Sequence, residues 1–194
     1  MSKLYFKYGT MNSSKSANLL MTKHNYEEEG MLVALLKPST DTREGHDVIS
    51  SRVGLSSPCT TFAPDEHMTD VMMRSCDSRI PDVILVDEAQ FATPRQIEEL
   101  YEISFKLPVI CFGLKTDSHT KMFPGSQRLF ELAESISEIK TICRCGAKAT
   151  INARINAEGK VVMNAPQVDI GGNEKYRPMC KRCFVAGGGT FFYD

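Results

Sequence analysis

Apolar residues fall in three dense runs along this chain, joined by stretches of a different period. Lys3 to Tyr8 alternates aromatic and polar side chains, as a short strand does, and leads straight into Gly9. "SKSANLLMTKHNYEEEG" then spaces Ala17, Leu20, Met21 and Tyr26 as one face of a helix, with Gly30 where a helix stops. "MLVALLK", residues 31–37, is almost uninterrupted apolar sequence, the pattern of a strand covered on both faces. Strand, loop, helix and strand in succession make a βαβ unit, so the pattern predicts an α/β fold with a parallel sheet.

Two more buried strands are expected. "DVILVDEAQF" ends its apolar run at Asp87 and Glu88, and "LPVICFGL" (107–114) ends near Gly113. Between them, Thr93-Pro94-Arg95-Gln96 is a helix start: Thr caps, Pro takes the first position and Gln follows three after the cap. Ile97, Leu100, Tyr101 and Ile103 then supply the buried face. From Glu44 to Pro81 the pattern is looser and predicts short strands near 47–52 and 59–62 and a helix near 66–74. After Ser137 the texture changes. "TICRCGAKATINARINAEGKVV" is read as a β-hairpin turning at Glu158-Gly159, with "CKRC" following at 180–183. A boundary near Ile139 therefore divides the chain into 1–139 and 140–194. The tail "AGGGTFFYD" either docks on a neighbouring surface or stays loose.

Composition narrows the class. At 194 residues the chain supports one buried core and a small appendage. Its 23 basic and 24 acidic residues give a net charge of -1, which offers no electrostatic case for nucleic acid or an anionic membrane as partner. "MSKLYFKYG" lacks the apolar run of a signal peptide, and no segment approaches about 18 apolar residues. A cytoplasmic protein is expected, in a compartment where disulfides are rare. That expectation governs how the seven cysteines are read.

Gly9 to Ser16, "GTMNSSKS", follows the phosphate-loop pattern G-x-x-x-x-G-K-[ST] except that Ser14 replaces the second glycine. In such a loop, backbone N–H groups of Gly9, Thr10, Met11, Asn12, Ser13 and Ser14 surround a β-phosphate at the positive end of the next helix. Lys15 would reach the β- and γ-phosphates, and the Ser16 hydroxyl would ligate Mg2+. The competing reading is a helix start rich in capping residues. Position favours the phosphate site: the loop follows a strand and opens a helix, and a second strand ends in Asp87, suited to holding Mg2+ through water. If residue 14 is left-handed, a serine costs roughly 1–2 kcal/mol there, which a surrounding loop can hold.

Cys143 and Cys145 are one residue apart, Cys180 and Cys183 two. Paired thiolates flanking a hairpin point to structural Zn2+, with free thiols or a disulfide as alternatives. The stretch from Gly146 to Met179 would be a long loop clamped at its base by the metal. Cys59, Cys76 and Cys111 are read as ordinary buried thiols.

Together, "GTMNSSKS", "DTR" (41–43), "VDEAQF" (86–91), "GLKTD" (113–117), the paired cysteines and "IGGNEKY" (170–176) make the chain resemble the thymidine kinases of many bacteria and of animal cytosol, over about residues 3–185. The resemblance implies a RecA-like P-loop domain, a zinc-held lasso loop over thymidine, and a homotetramer. It implies ATP with Mg2+ as donor, thymidine and deoxyuridine as acceptors, and feedback inhibition by dTTP. Glu88 is implied as the general base for the 5′-hydroxyl, with strand alternation turning Asp87 and Glu88 to different sides. Gln90 is implied beside them at the ATP site, as is Arg43, which pairs with Asp41 near the phosphates. Met11, Phe91 and Leu114 are implied to line the thymine pocket and Tyr176 to close it, with Ile170 and Gly171 contributing main-chain groups. Ser118 stands where the family commonly has an aromatic residue, a role that passes to Phe123 or lapses. Asp169 stands where an apolar residue is usual. Two other classes compete: a P-loop ATPase whose mildly basic lobe binds nucleic acid, and a nucleotide-binding regulator without catalysis, suggested by Ser14.

Overall fold

In the computed structural model, residues 3–40, 47–163 and 175–191 are described. The frame is a six-stranded sheet. Its strands are β1 (Leu4–Tyr8), β2 (Val33–Pro38), β5 (Thr60–Phe62), β6 (Val83–Val86), β7 (Val109–Gly113) and β8 (Ser135–Glu138), in the order β5-β2-β6-β7-β1-β8. Every pairing is parallel. Two further short strands, β3 (Val48–Ser50) and β4 (Ser56–Pro58), form a separate antiparallel hairpin.

Alternation along the strands sorts side chains onto two faces. Leu4, Phe6, Ala34, Leu36, Ile84, Val86, Val109 and Cys111 pack beneath α2 (Met68–Ser75), α3 (Pro94–Ile103) and α4 (Pro124–Leu132). Leu35, Val83, Leu85, Ile110 and Phe112 pack with Leu19 and Leu20 of α1 (Lys15–Glu28) on the other. Both faces are covered, which is why these strands read as continuous apolar runs. The chain passes from β1 through α1 to β2 in one direction, and from β7 through α4 to β8 in the other. The switch point thus lies at the carboxyl end of β1, the place where open parallel sheets take ligands.

Local chemistry sets the element ends. In α3, the Gln96 N–H donates to Thr93 Oγ1 (3.2 Å) and the Thr93 N–H to Gln96 Oε1 (3.0 Å), a complete capping box. Helix α1 ends with Gly30 at φ 74°: the Gly30 N–H donates to the Glu27 carbonyl and the Met31 N–H to that of Tyr26, a Schellman closure. Its buried residues are Lys15, Ala17, Leu19 and Leu20; Met21, expected on the inner face, is 58% exposed. The inner face of α1 runs through Leu19 and Leu20 to Tyr26, which packs on the same cluster as expected, and Met21 turns outward beside it.

The C-terminal lobe departs further from expectation. Its strands are β9 (Thr141–Ile142), β10 (Lys148–Ala149), β11 (Ile151–Arg154) and β12 (Tyr176–Met179), and helix α5 (Lys181–Ala186) follows. The turn before Gly159 forms, with one bridge between Ile155 and Val161, but β11 takes β12 as its ladder partner. The expected hairpin is therefore reduced to its tip, because β11 and β12 close over a core of Cys143, Ala149, Ile151, Ala153, Met179, Cys180 and Phe184. For the same reason Gly146–Met179 is not one clamped loop: it contains β10, β11 and β12. The glycine tail folds back. Gly189 lies where a Cβ would come within 2.5 Å of the Phe184 ring, and Phe191 packs on that ring at 5.3 Å between centroids.

Candidate active site

Gly9 opens the loop after β1 and has no room for a side chain: a Cβ would stand 2.4 Å from Ser13 Oγ and 2.6 Å from the Ile139 carbonyl. Asn12 and Ser14 both adopt left-handed backbone, at φ 63° and 61°. Residue 14 thus has the conformation that favours glycine, held here by a serine. Its hydroxyl makes no capping bond to α1. Its carbonyl instead accepts both the Asn18 N–H and Asn18 Nδ2, each at 3.0 Å. The capping explanation of this serine-rich stretch therefore fails at residue 14. Thr10 Oγ1 and Ser13 Oγ are buried without a protein partner, so the loop holds unspent polar groups at the start of a 14-residue helix. Lys15 is buried and folds its ammonium onto the Thr10 carbonyl at 2.8 Å. This is a cradle suited to a phosphate chain.

Asp87 and Glu88 face the same cleft as Met11, Lys15, Ser16 and Leu114. Strand alternation does not separate the two carboxylates, as was expected, because β6 ends at Val86 and Glu88 turns into left-handed backbone at φ 49°. Asp87 is buried, and burial pushes its carboxyl up to about 7, helped by the neighbouring Glu88 charge. The Ser16 hydroxyl and the Glu88 N–H, the latter at 3.0 Å, donate to Asp87 and oppose that rise. The Ser16 hydroxyl and the Asp87 carboxylate thus already meet where a hard cation would sit. Gln90, expected at the nucleotide, stands behind Glu88. Its Nε2 donates to Glu88 Oε2, and its Oε1 accepts the Leu114 N–H at 2.9 Å. Glu88 is thereby tied through Gln90 to the end of β7.

The four cysteines converge: the sulfurs of Cys143, Cys145, Cys180 and Cys183 all lie within 4.8 Å of one another. Tetrahedral ligation at a Zn–S distance of about 2.3 Å would place sulfurs about 3.8 Å apart, so the set fits such an ion with slight closure. The short Cys-x-Cys half is made possible by Gly146 at φ 84°. It closes a turn in which the Gly146 N–H donates to the Cys143 carbonyl (2.9 Å) and the Cys143 N–H to that of Ala147 (2.8 Å). Cys180 caps α5, accepting the Cys183 N–H. The Ala147 N–H, followed by neighbouring thiols, brings Cys145 down to about 6, whereas the crowding sulfurs of Cys145, Cys180 and Cys143 push Cys183 up to about 12.

Comparison with known proteins decides between the classes left open by the sequence. A family model described as thymidine kinase matches residues 2–184. A thymidine kinase of Rhizobium etli is 44% identical over 185 residues, covering 94% of this chain and 92% of that one. One from Chromobacterium violaceum is 45% identical over 188 residues, covering 95% and 98%. The chain belongs to the thymidine kinase family. Overlap with a crystal structure of Pif1 helicase from Candida albicans is partial, with a TM-score of 0.43 and 15% identity over 74% of this chain and 37% of that one. The strand order itself carries the fold.

The other residues expected at a thymidine kinase site are placed less evenly. Met11 and Leu114 line the cleft. Phe91 and Phe123 do not; they form an edge-to-face pair at 5.6 Å where Ala89–Phe91 meets the start of α4. Tyr176 is half-buried in β12 opposite Arg154, also away from the cleft's described lining. Asp41, Arg43, Asp169, Ile170 and Gly171 lie outside the described residues. Ser118 is buried, and its hydroxyl has no partner. Cys76 and Cys111 are buried as expected, whereas Cys59 is only half-buried. No helix among the described residues is long and apolar enough to cross a membrane.

Three features in and behind the cleft were missed from the sequence. Lys37 is buried in the wall, its ammonium donating to the Val48 carbonyl at 3.1 Å. Its place inside the run "LLKP" was the available signal, since a lysine in a doubly covered strand must be paired. The β3–β4 hairpin supplies Ser50, Arg52 and Val53 to the rim. Asn152, in the buried stretch "INA", reaches the phosphate loop across the molecule.

Proposed function

We propose that this chain transfers the γ-phosphoryl group of ATP to the 5′-oxygen of thymidine, and that deoxyuridine is a second acceptor. The observation that carries the reading is one cleft holding a phosphate loop with Lys15, the Ser16–Asp87 pair, and a carboxylate, Glu88, positioned by Gln90. Lys15 leaves the Thr10 carbonyl to meet the phosphates, and the loop N–H groups hold the β-phosphate. Mg2+, when bound with ATP, would neutralise charge between the phosphates, held by Ser16 and by Asp87 through water. Glu88 accepts the proton of the 5′-hydroxyl as its oxygen attacks phosphorus, and the bond to the ADP oxygen breaks. Gln90 keeps one Glu88 oxygen engaged so that the other faces the acceptor.

Residues 1–139 form the catalytic unit and 140–194 the metal lobe in this reading, with Zn2+ as the ion on the four thiolates. Family membership supports assigning Phe91, Phe123, Tyr176, Ile170 and Gly171 to the pyrimidine and Asp41 and Arg43 to the phosphates; the first three stand outside the cleft's described lining and the rest outside the described residues. The proposal extends to a cytoplasmic homotetramer inhibited by dTTP, a reading that family membership supports. A steady-state assay of thymidine, deoxyuridine and deoxycytidine with ATP and Mg2+ tests the proposal. Saturable formation of thymidine monophosphate is expected; ATP turnover without phosphorylation of any of the three would overturn it.

A further inference from the structure

The cysteine lobe reaches the phosphate loop through one buried side chain. Asn152 lies mid-strand in β11 and is 3% exposed. Its Oδ1 accepts the Met11 N–H at 2.7 Å, and its Nδ2 donates to the Thr116 carbonyl at 2.9 Å. Met11 belongs to the loop after β1, and Thr116 to the segment after β7. One amide therefore joins the ends of two adjacent sheet strands, both bordering the cleft. Its flanking residues Ile151 and Ala153 belong to the lobe core with Cys143 and Cys180. Across the ladder it faces Pro178, two residues before Cys180. The place of Asn152 is thus set by the packing that gathers the thiols.

Behind the loop, Tyr8, Thr10, Thr116 and Asn152 border a cavity of about 140 Å3. Packing does not back the loop there, and Thr10 Oγ1 finds no partner. Two lesser ties accompany it: Thr141 Oγ1 of β9 donates to the Asn12 carbonyl at a long, exposed 3.5 Å, and His119 Nε2 meets the Met163 carbonyl at 2.8 Å, on the β7 side rather than at the phosphate loop.

We infer that Asn152 is a positioning residue for phosphoryl transfer: through it the cysteine lobe braces the phosphate loop in its ATP-binding shape. The inference rests on the phosphate-loop reading above. Asn is suited to the task because one planar amide supplies an acceptor and a donor at fixed separation. Without it, the Met11 N–H loses its acceptor among the described residues and residues 10–13 are freer to leave the left-handed conformation at Asn12.

The test compares wild type with Asn152→Ala and Asn152→Asp in the full-length, metal-loaded protein. Asp keeps an acceptor for Met11 and removes the donor to Thr116. Asn152→Ala is expected to raise KM for ATP by about tenfold, the scale of one lost buried hydrogen bond, with metal content unchanged. Its Met11 amide should exchange with solvent faster. Asn152→Asp should recover most of the ATP KM and the Met11 protection. An Asn152→Ala protein with wild-type ATP KM and Met11 protection would overturn the inference. Equal losses in both variants together with lost metal would also overturn it, showing a role in lobe folding alone. If the Ala variant does not fold, wild-type amide exchange decides: Met11 is expected to be protected above Asn12 and Ser13, and equal exchange would contradict the brace. A wild-type enzyme that binds ATP but phosphorylates no nucleoside would defeat the proposed function, while Met11 exchange would still test the brace.

Discussion

The phosphate loop and the cysteine turn are both tight bends that gather polar atoms around a space for an ion, and they do it in opposite ways. In the proposed reading, the loop from Gly9 to Ser16 collects backbone N–H donors for an anion, so its function would depend on main-chain shape. The Cys143–Gly146 turn and the start of α5 collect side-chain sulfurs that could hold a cation, and such a site depends on residue identity. This contrast explains why Ser14 can replace the usual glycine. It needs only to hold φ near 61°, and its hydroxyl makes no cap bond. No such latitude exists for the four cysteines.

The contrast can be broken at several strengths. The largest effect is expected where the loop does depend on a side chain. Lys15→Ala should lower kcat/KM about a thousandfold in a coupled kinase assay without unfolding the protein. Next comes Cys180→Ser, which should abolish metal binding and the amide protection of β11 and β12 while leaving that of β6 and β7 intact. Cys59→Ser, outside the cluster, should keep full metal content.

A smaller effect concerns Asp87, whose folded carboxyl titrates near 7 against 3.8 for the ordinary group. Between those values the folded chain holds a proton that the unfolded chain has released. The stability tied to that proton is present at low pH and lost as pH rises through about 7. Melting of the nucleotide- and Mg2+-free protein at pH 5.5 and 8 should therefore show a decline that Asp87→Asn flattens. The smallest effect is at the opening of α1. Ser14→Gly should leave activity within about tenfold and stabilise the fold by about 1 kcal/mol, measured by urea denaturation.

Much of the site was legible because short-range chemistry determines it. Gly9, Lys15 and Ser16 sit where strand, loop and helix follow one another, and Thr93 to Gln96 carry their own cap. Elements chosen by distant partners were not legible. Helix α4 begins "PGS" with no side-chain cap bond, and no element was expected there. Gly125 is needed because a Cβ there would stand 2.4 Å from the Ala92 carbonyl, a contact no local pattern reveals. The pairing of β11 with β12 depends on closure around four sulfurs from two distant segments. Glu88 was found by position, but its turn into left-handed backbone, and the Gln90 link to Leu114 behind it, depend on where β7 ends. Asn152 was passed over because its partners lie 141 and 36 residues away.

The central claim is that Glu88 accepts the nucleoside proton within a prebuilt phosphate site. The direct measurement is steady-state phosphorylation of thymidine by Glu88→Gln, accompanied by nucleotide binding to the same protein. A loss of kcat of at least a hundredfold with ATP affinity kept within threefold is the predicted result. Wild-type kcat in that variant would contradict the account.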